Sequence, residues 1–222
     1  MQISSETIQI LKNFASINNS IVIRPGDIIS TVANGTSIFA RAQVAEHFPK
    51  EVLIYELGSL LALLTIKENQ EVDFGDKSLT ISKDGGQFEY FYAGPDIVKG
   101  APSGTIEVDE YYKFKLTAED VAMINKAAAI TSAPHLSITC TDQTVTLSVH
   151  NRKNRSANNF KRTLGTGLEN FDVFIAIENF KIIPDAYEVT VSRRNFIHLK
   201  HETKNLQYWI ACDPDSVIPG SE

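Results

Sequence analysis

Apolar residues recur at helical spacing near the start of the chain. Ile10, Phe14 and Ile17 share one face, and Ile3, Ile8, Leu11 and Ala15 widen it. Gln9, Lys12, Asn13 and Ser16 lie on the opposite side. This pattern predicts a helix from about residue 4 to 17. The Ser4 hydroxyl can accept from the first free backbone N–H groups, and Glu6 sits at the positive helix end. Short apolar or alternating runs follow at 20–24, 27–32 and 37–43, separated by turns at Pro25-Gly26 and Asn34-Gly35. A strand at 52–55 leads into a second predicted helix at 57–67, with Leu57, Leu60, Leu61 and Leu64 as its buried stripe. Three more strands are expected at 71–74, 78–82 and 87–92, with a hairpin turn at Asp84-Gly85-Gly86.

The stretch 94–109 breaks this grammar. It holds Pro95, Gly100, Pro102 and Gly104 and reads as an extended linker. The expected division is therefore a first domain at 1–93, a linker at 94–110 and a second domain at 111–222. The second half repeats the order of the first. A strand at 113–116 runs into Thr117, a helix N-cap followed by Glu119 and Asp120, with Leu116 and Val121 at staple positions. That helix ends near 131, before Pro134. Strands are expected at 136–141, 144–150, 159–164 and 171–177, then a short helix at 178–183 stopped by Pro184. Further strands at 187–192, 196–201 and 207–212 complete the series. The segments starting at Val52 and Val173 hold equivalent places, with little residue identity. The physical reading is an α+β fold of two similar domains, each with helices on one face of antiparallel sheet.

Composition narrows the function. The chain has 222 residues, 43% hydrophobic and 22% charged, which excludes disordered, collagen-like and disulfide-scaffold classes. Its net charge is -6, which argues against coating nucleic acid through bulk positive charge. The charge is uneven: through Glu110 there are 8 basic against 15 acidic side chains, and from Tyr111 onward 13 against 12. Cys140 and Cys212 sit in alternating strand-like runs without metal spacing, so two buried thiols in a reducing compartment are expected. The opening MQISSETIQI has no secretory pattern, and no apolar run approaches the roughly 18–20 residues of a membrane span.

No catalytic constellation is visible. GxxxxGK, GxSxG and HExxH patterns are missing. His198 and His201 are three apart on a predicted strand, so their rings point to opposite faces. His47, His135 and His150 are isolated, and the pairs Asp73/Asp76 and Asp213/Asp215 read as turn residues. The reading is a non-enzyme with no metal and no cofactor. The positive signal is one lysine on each predicted helix: Lys12, Lys67, Lys126 and Lys181. A second basic cluster runs Arg152, Lys153, Arg155 and then Lys161-Arg162. These are either solvated surface or a face that meets a polyanion. Lysine suits sequence-independent phosphate contact, being a mobile point charge. Without interleaved aromatics, stacking on single-stranded bases is not suggested.

Several segments resemble the sliding clamps of T-even-type bacteriophages. LKNFASIN at 11–18 is similar to that family's first helix and VANGTSIFARAQV at 32–44 to its next hairpin. EVLIYELGSLLALL at 51–64, KLTAEDVAMINKA at 115–127 and IENFKIIPDAYEV at 177–189 resemble the three remaining helix regions, in order and spacing. The resemblance implies a DNA polymerase processivity factor: a homotrimeric ring of six similar domains, sheets outside and helices lining the hole. It implies double-stranded DNA, bound without sequence preference, as a partner. It further implies DNA polymerase and an ATP-dependent clamp loader as partners, the host cytoplasm as location, and a possible link to late transcription. Lys12, Lys126 and Lys181 match DNA-facing helix positions of the family. Lys67, Lys161, Arg162, Arg152, Lys153 and Arg155 are weaker candidates for the same surface. In clamps generally a partner peptide enters a hydrophobic groove near the linker. The candidates here are Ile97, Val98, Tyr208, Trp209, Val217 and Ile218. The rival reading is a phage tail or capsid protein with duplicated β-rich domains.

Overall fold

The computed structural model describes residues 1–154 and 156–221. It divides into two compact units, Met1–Gly104 and Thr105–Glu222. The first unit opens with helix α1 (Ser5–Ile17), capped by Ser4, whose side chain accepts from the Thr7 N–H at 3.2 Å. Strands β1 (Ile21–Ile23) and β4 (Val52–Ile54) pair with each other, as do β2 (Gly26–Val32) and β3 (Ile38–Phe48). Helix α2 (Leu57–Leu64) follows β4. Then β5 (Glu71–Phe74), β6 (Ser78–Lys83) and β7 (Gly86–Phe91) form a meander. Its tight turn places Asp84 and Gly85 at φ 51° and 79°, the paired positive angles of a type I′ hairpin. Ile10, Leu11, Phe14 and Ile17 of α1 are buried, as are all four leucines of the α2 stripe. Burying each such side chain stabilises by roughly 1.5–3 kcal/mol before ordering costs.

The second unit begins with β8 (Glu110–Leu116) and α3 (Ala118–Thr131). Thr117 and Asp120 close a reciprocal capping box at the start of α3: the Asp120 N–H donates to the Thr117 hydroxyl at 3.2 Å, and the Thr117 N–H donates to the Asp120 carboxylate at 2.8 Å. β9 (His135–Thr141), β10 (Thr144–His150), β11 (Phe160–Thr166) and β12 (Phe171–Ala176) form one antiparallel sheet in the order β11-β10-β9-β12. β13 (Tyr187–Ser192), β14 (Phe196–His201) and β15 (Leu206–Ala211) pair in the order β15-β14-β13-β8. Val121 and Ile124 of α3 are buried with Leu136, Ile138, Val145, Leu147 and Val149 of the first of these sheets.

Three elements differ from the sequence reading. β3 runs on to Phe48, because Val44, Glu46 and Phe48 continue its buried row; the carboxylate at 46 disguises the alternation. α2 stops at Leu64. The Thr65 hydroxyl donates to Leu61 O at 2.8 Å and the Gln70 amide to Leu63 O at 2.9 Å, taking up carbonyls that a longer helix would use. The expected helix at 178–183 is a single 3-10 turn, Ile177–Asn179. Pro184 disfavours helical geometry in the preceding residue, and Ile182 and Ile183 are β-branched. The Ile183 backbone is satisfied instead by tyrosines. The Tyr187 hydroxyl donates to Ile183 O at 2.7 Å, and the Tyr208 hydroxyl accepts from Ile183 N–H at 3.3 Å.

Candidate nucleic-acid interface

Lys12 stands exposed on the polar side of α1. The helix start that positions it is held by a buried carboxylate, Glu46 of β3, which accepts from the Ser4 N–H and the Thr7 hydroxyl. Burial alone would push the Glu46 carboxyl up; the hydrogen bonds from Thr7 and Ser4 outweigh it and hold it below the ordinary range. The sequence reading missed Glu46. Its signal was the every-other-residue row Val44, Glu46, Phe48 beside a helix start with unsatisfied N–H groups.

Lys126 stands exposed on α3, next to exposed Asn125. The same face carries Ala122, Ala129, Met123 (40% exposed), Ile130 (73% exposed) and, two turns before Lys126, the exposed carboxylate of Glu119. Among the described residues neither Lys12 nor Lys126 makes an ion pair.

The other basic candidates are placed differently. Lys67 lies past the end of α2, where its ammonium meets Asp84 at 3.1 Å. Lys181 is exposed but follows the 3-10 turn rather than lying on a helix, so a lysine on every helix does not hold. Lys161 and Arg162 are adjacent on β11 and point to opposite faces of the sheet. Arg162 is opposite Leu147, on the face that packs α3, and pairs with Asp120. Lys161 is opposite Ser148, on the face turned away from α3. Arg152 is committed within the protein. Its guanidinium lies 3.5 Å from the Phe174 ring centroid and makes a two-pronged contact with Asp215, with Asp213 at 3.5 Å. The Asp215 carboxyl is held low, first by the Arg152 hydrogen bond. Lys153 is exposed in the turn after β10. Arg155 lies outside the described residues.

The docking candidates divide in the same way. Ile97 is 62% and Val217 61% exposed, whereas Val98 and Ile218 are buried at 3%. Tyr208 is fully buried with its hydroxyl turned to Ile183, so it cannot reach an incoming peptide. Trp209 is buried as well, so neither of the two aromatic candidates is available at the surface. Trp209 stacks on His198, centroids 4.8 Å apart. A groove that the sequence did not indicate, about 160 Å³, is lined in the first unit by Val22, Arg24, Ile28, Arg41 and Pro102.

Two histidines of β14 are tied into the second unit by hydrogen bonds. His198 bonds Gln207 at 2.8 Å. His201, buried on the other face, accepts the Thr203 and Lys204 N–H groups and faces Asp185 at 2.9 Å. Among the described residues no group of three or more His, Cys, Asp or Glu side chains could hold a metal ion. No helix among them is long and apolar enough to cross a membrane.

This architecture is that of the DNA clamps. A solved PCNA2–PCNA3 complex from Sulfolobus tokodaii matches with a TM-score of 0.68 over 92% of this chain and 94% of its own, at 11% identity. At that identity the likeness speaks for the fold alone. Sequence carries the rest. The family model for DNA polymerase processivity factors matches residues 4–93. The sliding clamp of Vibrio phage KVP40 is 31% identical over 224 residues, spanning 96% of this chain and 99% of the relative. That of Escherichia phage RB69 is 26% identical, spanning 97% and 98%. The chain therefore belongs to the sliding clamps of T-even-type bacteriophages, the phage DNA polymerase processivity factors.

Proposed function

We propose that three copies of this chain close into a ring that encircles duplex DNA and tethers the replicative polymerase in the cytoplasm of the infected host. The two domains, 1–93 and 111–222 with the linker 94–110 between, supply two sixths of that ring. A head-to-tail contact closes when its rotation is one third of a turn. The observation that carries the reading is the pair Lys12 and Lys126. In an acidic chain, one helix of each unit presents an exposed lysine without an ion-pair partner among the described residues. Such charges attract phosphate at every register without reading bases, as a sliding contact requires.

Retention on DNA is topological, so no catalytic group is needed. Opening the ring falls to a separate ATP-dependent loader. Partner peptides dock on a different surface, for which Ile97 and Val217 are the exposed candidates. A tail or capsid role accounts for neither the lysine placement nor the end-to-end likeness to clamps.

The test has two readings. Sedimentation equilibrium gives a mass near three times 24.6 kDa that falls on dilution. Primer extension on a long template, with loader and polymerase, gives longer products when the protein is present. Lys12→Glu combined with Lys126→Glu shortens those products while leaving the mass and the circular dichroism spectrum unchanged. A monomer at all concentrations, or full stimulation by the double variant at low salt, overturns the proposal.

A further inference from the structure

The turn between β2 and β3 has no part in the proposed DNA contact. Asn34 is followed there by Gly35, and no other asparagine in the chain precedes a glycine. Both residues are exposed. The Thr36 N–H donates to Ala33 O at 2.9 Å, and the Ala33 N–H donates to Ile38 O at 2.8 Å. Those bonds close the turn and pass over the two residues at its tip. Among the described residues neither the Gly35 N–H nor the Asn34 side-chain amide makes a hydrogen bond. Gly35 sits at φ 87°, and beyond its chain neighbours no heavy atom lies within 4 Å of the place a β-carbon would take. Its nitrogen is therefore open to the neighbouring amide carbon.

Comparable residues elsewhere are held differently. The Asn18 side chain donates to Val32 O at 2.9 Å and accepts the Ser20 N–H at 3.0 Å. The Asn19 side-chain oxygen accepts the Gly58 N–H at 2.9 Å. Asn13, Asn170, Asn179 and Asn195 each precede a phenylalanine, whose side chain crowds the nitrogen that would attack. Asp84-Gly85 is the acid counterpart of the same pair. Its carboxylate lies 3.1 Å from the Lys67 ammonium, and an ionised carboxylate resists attack by an amide nitrogen.

We propose that Asn34 is a self-modification site: the Gly35 backbone nitrogen attacks the Asn34 side-chain carbonyl, and water completes conversion of the amide to a carboxylate. The nitrogen bonds to Cγ as its proton passes to hydroxide. The Cγ–Nδ2 bond then breaks with its electron pair on Nδ2, which takes a proton from water and departs as ammonia. Water opens the remaining five-membered imide at either carbonyl. Opening at Cγ gives aspartate. Opening at the main-chain carbonyl gives isoaspartate, whose chain runs through the former side chain and is one carbon longer. Either product adds one negative charge to the -6 of the chain. Isoaspartate also lengthens the turn that Ala33 and Thr36 close. Thr36 is β-branched and held at φ 61°, in the left-handed region, so the tip has little slack for an extra atom. The end of the hairpin, beside buried Ile38 and Phe39, then frays. None of this depends on the proposed ring.

The folded full chain is aged in buffer, digested at intervals and its peptides weighed. A gain of one dalton is expected in the peptide holding Asn34, at least tenfold faster than at any other asparagine, with ammonia released in equal amount. Isoaspartate, detected with an isoaspartyl methyltransferase, is expected as the larger product. The rate is expected to rise about tenfold from pH 7 to pH 8, as the ionised fraction of the Gly35 amide does. Asn34→Gln, which would have to close a six-membered ring, is expected to slow conversion at least tenfold with an unchanged melting curve. In aged protein, amide exchange at Ala33 and Thr36 is expected to rise about tenfold and to stay unchanged around Ile29 and Ala42, in the middle of the hairpin. Conversion of Asn34 in the urea-unfolded chain but not in the folded one overturns the proposal. Conversion spread evenly over the asparagines, or a carboxylate formed without isoaspartate, overturns it too. Unchanged exchange in the isoaspartate form overturns the fraying.

Discussion

Replacing Glu46 by glutamine separates a structural charge from the helix it holds. Glu46 is 7% exposed and accepts two hydrogen bonds at the start of α1, where the helix dipole is positive. Hydrogen bonds to a charged group contribute about 1.5–3 kcal/mol each. Glutamine keeps one acceptor oxygen and loses the charge, so the cost is of the order of one such bond, roughly 2–3 kcal/mol with the dipole contribution included. The lone tryptophan, Trp209, lies in the other unit, so its fluorescence does not report on α1. Amide exchange across residues 5–17 does, and a loss of 2–3 kcal/mol speeds it roughly 30- to 150-fold at pH 7. The pH dependence carries a sign. The folded Glu46 carboxyl lies below its ordinary value of 4.5, so its stabilisation is fully present above 4.5 and is lost as pH falls through the folded value. Wild type and Glu46→Gln therefore converge in acid. Exchange within about threefold of wild type at pH 7, or a gap that widens on acidification, would refute the assignment.

Thr117→Ala removes the capping box and destabilises α3 by about 1 kcal/mol, read from the urea midpoint. Tyr208→Phe leaves the Ile183 N–H without its acceptor in a buried site, at about 1–3 kcal/mol, and Trp209 fluorescence reports that unfolding directly. Burial, aided by Asp213, pushes the Cys212 thiol up to about 12, and Cys140 is 2% exposed. Neither cysteine reacts with a disulfide reagent at pH 8 in the folded protein, and both react in denaturant. Lys126→Glu weakens DNA retention, whereas Lys161→Glu, on the sheet face turned away from α3, leaves retention unchanged at low salt; equal losses would refute the face assignment.

Elements that follow one simple period were legible. Helix α1 and strands β10, β13 and β14 lie where spacing put them, because each carries a run of buried apolar residues at the expected period: Ile10, Leu11, Phe14 and Ile17; Val145, Leu147 and Val149; Tyr187, Val189 and Val191; and Ile197 and Leu199. β3 was cut short because Glu46 occupies a core position, and only its contact with the start of α1 explains a carboxylate there. The turn at 177–183 was over-read as helix because the tyrosines that satisfy its backbone come from β13 and β15. At the site, Lys12 and Lys126 could be placed on exposed helix faces from spacing alone. The withdrawal of Arg152, Arg162 and Lys67 into ion pairs could not, since each partner is distant in sequence and is brought near only by the tertiary fold.

A net charge of -6 and a nucleic-acid contact are compatible because of where the neutralisation occurs. Lys50, Lys113, Lys115, Arg193 and Arg194 each face a carboxylate within 4 Å, as do Lys67, Arg152 and Arg162. Exposed pairs of this kind add little stability, but they cancel the local field. The basic charge that remains on helices, at Lys12 and Lys126, has no ion-pair partner among the described residues and so can attract phosphate locally despite the acidic total. In the proposed trimer, six such lysines would bound the salt dependence of DNA contact at a log–log slope of about -5, and less where only part of the wall touches the duplex at once. A contact this soft supplies weak attraction without a preferred register. In the ring proposed above, holding the DNA would then fall to closure rather than to the strength of any phosphate contact.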